Sequence, residues 1–163
     1  MQTLSDTLTL TPVEQRLARY LALQRFTNNR NSGVVDQQKS RQPAAEMELD
    51  SVGAELAFCR LFNLYPDLTT EVRSGGPDCF LAGRTLDVKQ TSHRHGHLIA
   101  SKRKAEDPSD LYALVIGVFP TYRYVGMTTA ALLFAVEYVE GTGPVGSPFA
   151  LPQSDLTYIP PPS

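Results

Sequence analysis

Apolar positions change their period along the chain, and the changes mark its elements. Between Thr11 and Phe26, Val13, Leu17, Tyr20, Leu21 and Gln24 follow helical spacing. Thr11 stands as N-cap, Pro12 as the first helical residue and Glu14 three residues after the cap, which is the capping-box arrangement. The pattern predicts a helix from Pro12 to about Thr27. A polar stretch without periodicity follows, carrying Arg30, Lys39 and Arg41. A second helix is predicted from about Leu49 or Asp50 to Leu64, with Val52, Leu56, Cys59 and Asn63 on one stripe and Phe62 at its edge.

From Leu68 the period shortens. The pieces TTEVR, CFLA and TLDVKQT, separated by SGGPD and Gly83-Arg84, predict a compact β-meander. HRHGHLIASKRKAEDPSD is polar and basic apart from Leu98-Ile99 and predicts a loop. LYALVIGVF reads as a buried central strand, and TYRYVGM as its neighbour. Thr128 or Thr129 can cap a helix that runs through Val139 and ends at Gly141. Pro144, Pro148, Pro152, Pro160, Pro161 and Pro162 then make the C-terminal part an extended surface strap.

Length and composition narrow the class. A chain of 163 residues, 42% hydrophobic and 20% charged, predicts one globular domain, with residues 1–47 as helix and polar loop, 48–140 as core and 141–163 as tail. A formal charge of -2 excludes coating a polyanion by bulk charge, so such a partner needs a local basic patch or metal ions. Two cysteines, Cys59 and Cys79, are too few for a disulfide framework and suit a reducing compartment. The first ten residues lack a basic region and no apolar run is long enough to span a bilayer, so the expectation is a soluble, intracellular, cytoplasmic protein. Neither a membrane nor a small-molecule cofactor is expected as a partner.

The chemistry concentrates between Gly75 and Lys89. On a strand, Asp87 and Lys89 project to one side while Leu86 and Val88 enter the opposite, apolar layer. A turn at Ala82-Gly83-Arg84 folds the Asp78 segment back beside Asp87. Two converging carboxylates repel each other unless a cation sits between them. Mg²⁺ suits such a place, and Mn²⁺ should substitute for it. Glu55 lies three residues after Val52 and four before Cys59, at the edge of a buried stripe, where a carboxylate is costly unless something binds it.

A helix bearing Glu55, then Pro77-Asp78, eight residues, and Asp87-Val88-Lys89 resembles the PD-(D/E)XK nuclease superfamily. The resemblance runs from roughly Asp50 to Gln90. It implies a restriction-endonuclease-like α/β fold, a mixed central sheet flanked by helices, here with an extra N-terminal helix and the Pro-rich strap. It also implies that Asp78 and Asp87 hold Mg²⁺ with help from the Val88 carbonyl, that Glu55 completes the site, and that Lys89 orients the attacking water or stabilises charge on the phosphate. The implied activity is metal-dependent hydrolysis of DNA phosphodiesters. Within the superfamily, Glu55 and Arg73-Ser74-Gly75 just before Pro77-Asp78 are similar to Holliday-junction resolvases, although the later half of this chain is longer.

Arg73, Ser74, Arg84, Arg94, Lys102, Arg103 and Lys104 make a local basic set suited to contacting DNA, and a solvated loop is its alternative. His93, His95 and His97 alternate, but Gly96 argues for a loop, so solvent-facing or phosphate-contacting histidines are expected rather than a zinc site. Tyr112, Tyr122 and Tyr124 read as core or rim rather than as base-stacking platforms. A two-fold homodimer would suit cleavage of both strands of a duplex. A different class stays open: a nucleic-acid-binding or assembly module that keeps the fold without cutting.

Overall fold

Helix α1 (Pro12–Asn31) begins at its predicted cap. The Thr11 N–H donates to Glu14 Oε2 at 2.7 Å and the Glu14 N–H donates to Thr11 Oγ1 at 3.2 Å, so both halves of the capping box form. Its inner face buries Ala18, Leu21, Ala22 and Arg25. Helix α2 (Ala44–Leu61) packs beside it and starts earlier than its apolar stripe suggested. The computed structural model describes residues 6–31, 43–71, 76–135 and 149–163.

The protein is mixed α/β. A five-stranded sheet has the order β1-β6-β5-β3-β2, formed by β1 (Thr7–Thr9), β2 (Cys79–Leu81), β3 (Arg84–Thr91), β5 (Leu111–Val118) and β6 (Thr121–Thr129). Strands β3 and β5 are parallel, and the other neighbours in this sheet are antiparallel. A parallel pair needs a connection that leaves the sheet and returns. Here that connection carries β4 (Leu98–Ala100) and the short helix α3 (Lys102–Glu106), where a loop was expected. Leu98 and Ala100 are buried and point the same way, which places β4 against the sheet and lets it pair with β7 (Phe149–Leu151).

The two faces of the sheet are covered differently. Helices α1 and α2 lie on one face, where Val52, Phe58, Leu86, Val88, Val115 and Tyr124 join one core. The other face is covered mainly by the β4–β7 pair, with Leu98, Leu114, Val125 and Leu151 in its core, so among the described residues the helix expected there is only a short one. Helix α4 (Ala130–Leu133) adds one turn there, capped by Thr129, whose hydroxyl accepts the Leu132 N–H at 3.3 Å. The helix stops at Leu133 with Phe134 as its C-cap, short of the predicted Val139, and residues 136–139 lie outside the described residues.

Two further expectations are corrected. The TTEVR piece forms no strand over Thr69 to Glu71, because the Thr69 carbonyl is taken by Arg25 of α1 rather than by a neighbouring strand. The C-terminal strap is not merely superficial. Leu151 is buried, and Thr157 and Met127 exchange backbone hydrogen bonds at 2.8 and 2.9 Å. Strand β1 had no sequence signal. It completes the sheet at the β6 edge, and nearby Tyr158 donates its hydroxyl to Asp6 Oδ1 at 2.7 Å.

Candidate active site

The hairpin that carries the acids turns at Ala82-Gly83, both in the left-handed region with φ of 51° and 78°. Gly83 suits that backbone because it has no Cβ to clash. The short β2 pairs only with Arg84, Thr85 and Leu86. From Asp87 onward, that edge of β3 has no strand beside it among the described residues. Asp78, just before β2, takes over: its Oδ2 accepts the Val88 N–H at 2.7 Å, while its own N–H donates to the Leu86 carbonyl at 3.0 Å. The end of the strand ladder thereby fixes Asp78 beside Asp87.

Strand alternation holds as expected. Leu86 and Val88 enter the helix-side core, and Asp87 and Lys89 face the other way. Asp87 is buried, with 3% of its side chain exposed. Its Oδ1 accepts the Ser109 hydroxyl at 2.9 Å. Its Oδ2 lies 2.7 Å from Lys104 Nζ and 3.7 Å from Lys89 Nζ. Ser109 is held in turn, because its N–H donates at 3.0 Å to Tyr112 Oη, and burial pushes that phenol up to about 12 so that it stays neutral. The Asp78 carboxyl is pushed up to about 6, first by burial and then by the Asp87 charge, against the opposing pull of the Val88 N–H, Lys89 and Lys104.

Asp78, Asp87, Lys89 and Lys104 line a cavity of about 470 Å³ whose wall also includes Arg25 and Glu55. Glu55 is therefore at the same cavity as Asp78 and Asp87. Its Oε2 lies 3.1 Å from Arg25 Nη1, and the same guanidinium donates to the Thr69 carbonyl at 2.8 Å and to the Asp67 carbonyl at 2.7 Å. The Arg25–Glu55 pair thus ties α1 and α2 to the segment that precedes the acids. Asn28, one turn further along α1, donates to the Thr70 carbonyl and reinforces that tie.

The basic set disperses. Lys104 reaches the acids, whereas Arg84 is exposed at the turn and Arg94 is exposed on the histidine loop. Arg94, His93, His95 and His97 line a separate cavity of about 470 Å³, and Gln153 of the strap donates to the carbonyls of Arg94 and Gly96 at 2.9 and 3.0 Å. Arg73 and Ser74 lie outside the described residues, as do Lys39, Arg41 and the side chains of Lys102 and Arg103. Tyr112, Tyr122 and Tyr124 are buried and so cannot stack on bases. The two cysteines are buried also, and the Cys59 thiol is pushed far up by its hydrogen bond to Cys79 and by burial, which leaves it unreactive.

No group of three or more His, Cys, Asp or Glu side chains among the described residues forms a metal cage. Mg²⁺ seldom uses one: it is usually held by one or two carboxylates, with waters and substrate phosphates filling the remaining positions. Asp78 and Asp87 are a donor set of that kind, and a divalent ion between them would offset both the burial and the Asp87 charge that raise the Asp78 carboxyl. The residues fit such an ion as a two-carboxylate site.

A family model matches residues 3–157. The chain belongs to DUF5843, a family of unknown function. No curated protein matches the chain. The matched span of this DUF5843 member contains every residue of the cavity, from Arg25 to Lys104. Among its described residues no helix is long and apolar enough to cross a membrane.

Proposed function

We propose that this chain is a metal-dependent deoxyribonuclease of restriction-endonuclease-like fold, acting at the cavity that holds Asp78, Asp87 and Lys89. The observation that carries the reading is the convergence of two carboxylates on one cavity, Asp78 bonded to the Val88 N–H next to Asp87, with two lysine ammoniums at the same oxygen of Asp87. The order α2, β2, β3 and then a crossover to the parallel strand β5 supports the fold. Asp78 and Asp87 are the residues that would hold Mg²⁺ or Mn²⁺. The ion, when bound, supplies a more acidic water and neutralises charge on the phosphate. Lys89 orients the attacking water or the scissile phosphate from the same face of β3. Ser109 fixes the rotation of the Asp87 carboxylate. Glu55, paired with Arg25, keeps the cavity wall in place.

Cleavage of labelled single-stranded, linear duplex, supercoiled and four-way-junction DNA in Mg²⁺ or Mn²⁺ tests the reading. Cutting should require the ion, stop with EDTA and fall by at least about 100-fold in Lys89→Ala. The contact between Lys104 and Asp87 favours a second reading, because an acid already neutralised by a lysine can persist without metal. That reading is a module that binds nucleic acid without cutting it. Binding of DNA with no cleavage of any substrate, in a folded protein, would establish it in place of the first.

A further inference from the structure

Two lysines approach Asp87, and they do so in different ways. Lys89 projects from β3, a strand paired on one side along its length with β5, and its Nζ is 3.7 Å from Asp87 Oδ2. Lys104 is closer, at 2.7 Å from the same oxygen, yet it comes from a five-residue helix in the crossover connection. Ser101 caps that helix, its side chain accepting the Lys104 N–H at 3.4 Å. The lysine backbone is thus held, while a four-carbon side chain, 20% exposed, carries the charge to the acid. With Oδ1 taken by Ser109, the charge on Oδ2 is shared between the two ammoniums.

A divalent ion bound to Asp87 would lie about 2.0–2.1 Å from a carboxylate oxygen. An ammonium held 2.7 Å from that oxygen would stand against it, and in a partly buried site the two like charges are poorly screened and repel. Burial makes the alternative costly too, since a carboxylate 3% exposed has lost most of its water and needs a cation close by in its place. We infer that Lys104 is a built-in counter-ion, which neutralises Asp87 in the metal-free protein and is displaced when a divalent ion binds. The inference rests on the metal-site reading above and extends it. It assigns the two lysines separate work: Lys89 stays with the acids, and Lys104 leaves them. The released ammonium remains on the cavity wall, where a phosphate of the incoming strand can meet it. Metal and DNA binding then reinforce each other through one side chain.

Titration with Mn²⁺, followed by the electron-paramagnetic signal of the free ion, tests this without any turnover. Wild type, Lys104→Met and Lys104→Arg are compared, with Asp87→Ala as the site control. The methionine removes the competitor and keeps the apolar stem, so Mn²⁺ should bind at least threefold more tightly. The arginine forms a bidentate pair that is harder to displace, so Mn²⁺ should bind at least threefold more weakly than to wild type. Equal affinities across the series, or the reverse order, with uptake still lost in Asp87→Ala, would overturn this inference and leave the metal site standing. No uptake by wild type or by Lys104→Met would overturn both. If Lys104→Met fails to fold, wild type against Lys104→Arg decides by the same order.

Discussion

The Ser109 hydroxyl donates to Asp87 Oδ1 at 2.9 Å from a position 22 residues further along the chain. It is a buried contact, and it leaves the other carboxylate oxygen to the lysines. Replacing Ser109 with Ala should cost about 1–3 kcal/mol, because one oxygen of a buried carboxylate loses its donor. The larger effect should be on the acid's aim: Mn²⁺ affinity is expected to fall about tenfold, as for other groups that orient a metal ligand. Denaturant unfolding and the Mn²⁺ titration measure the two effects separately. A stability loss with unaltered Mn²⁺ affinity would confine Ser109 to packing.

Arg25 offers a sharper test of architecture. It is 8% exposed and bonds Glu55 and two carbonyls of the segment leading to Asp78. Arg25→Met should destabilise the fold by about 3–5 kcal/mol, because the buried ion pair with Glu55 and the bonds to the Thr69 and Asp67 carbonyls go together. Glu55→Gln removes the charge and keeps a hydrogen-bonding oxygen, so it should cost less. The double variant should recover part of the Arg25→Met loss, giving a coupling energy above about 1 kcal/mol in the mutant cycle. Simple additivity would mean that the pair does not act as a unit.

The Asp78 carboxyl is raised from 3.8 to about 6, so the folded state holds this proton more tightly than the unfolded chain does. Stability from this group is fully present below about pH 4 and is lost as pH rises through about 6. Asp78→Asn does not titrate. In metal-free buffer its stability relative to wild type should therefore improve by about 1–3 kcal/mol between pH 4 and pH 7, with most of the change between those two pKa values. Thermal melts of both proteins across that range give the difference directly, and a flat difference would show that burial does not hold the proton.

Helix α2 meets β6 at a point with no spare room. A Cβ on Gly53 would lie 2.1 Å from Tyr122 Oη and 2.8 Å from its Cζ. The tyrosine cannot yield freely, since it is buried and donates to the Asp50 carbonyl at 3.0 Å. Gly53→Ala should cost about 1–3 kcal/mol by overpacking. Removing the hydroxyl with Tyr122→Phe should relieve part of that cost, so the two changes together should be milder than their sum in chemical denaturation.

Much of the site could be read from residue order because it is local. Asp87 and Lys89 share a face through strand alternation alone, and the Asp78 return needs only the turn at Ala82-Gly83. The helix of Glu55 was visible from its stripe, and the strands at Leu111 and Thr121 from their apolar runs. What escaped depended on distant contacts. Arg25 lies four residues after Leu21 on the buried stripe of α1, a clue of the same kind as Glu55, but its partners come from residues 55, 67 and 69. Lys104 was visible as one basic residue among several. Only the crossover between parallel strands brings it, and not Arg84 or Arg94, to the acids. Strand β4 was hidden because its burial depends on β7, far along the chain.

Strand β1 also sets an order of events in time. Its Thr9 hydroxyl bonds that of Thr121, 112 residues later, and Asp6 bonds Tyr158, 152 residues later. A growing chain that has already released β1 must therefore hold it unpaired until β6 emerges. The hairpin of Asp78 and Asp87, closed by neighbours, can form well before that. Contacts of such span are slow to close, so the hairpin that carries the acids is expected to form before the edge that completes the sheet.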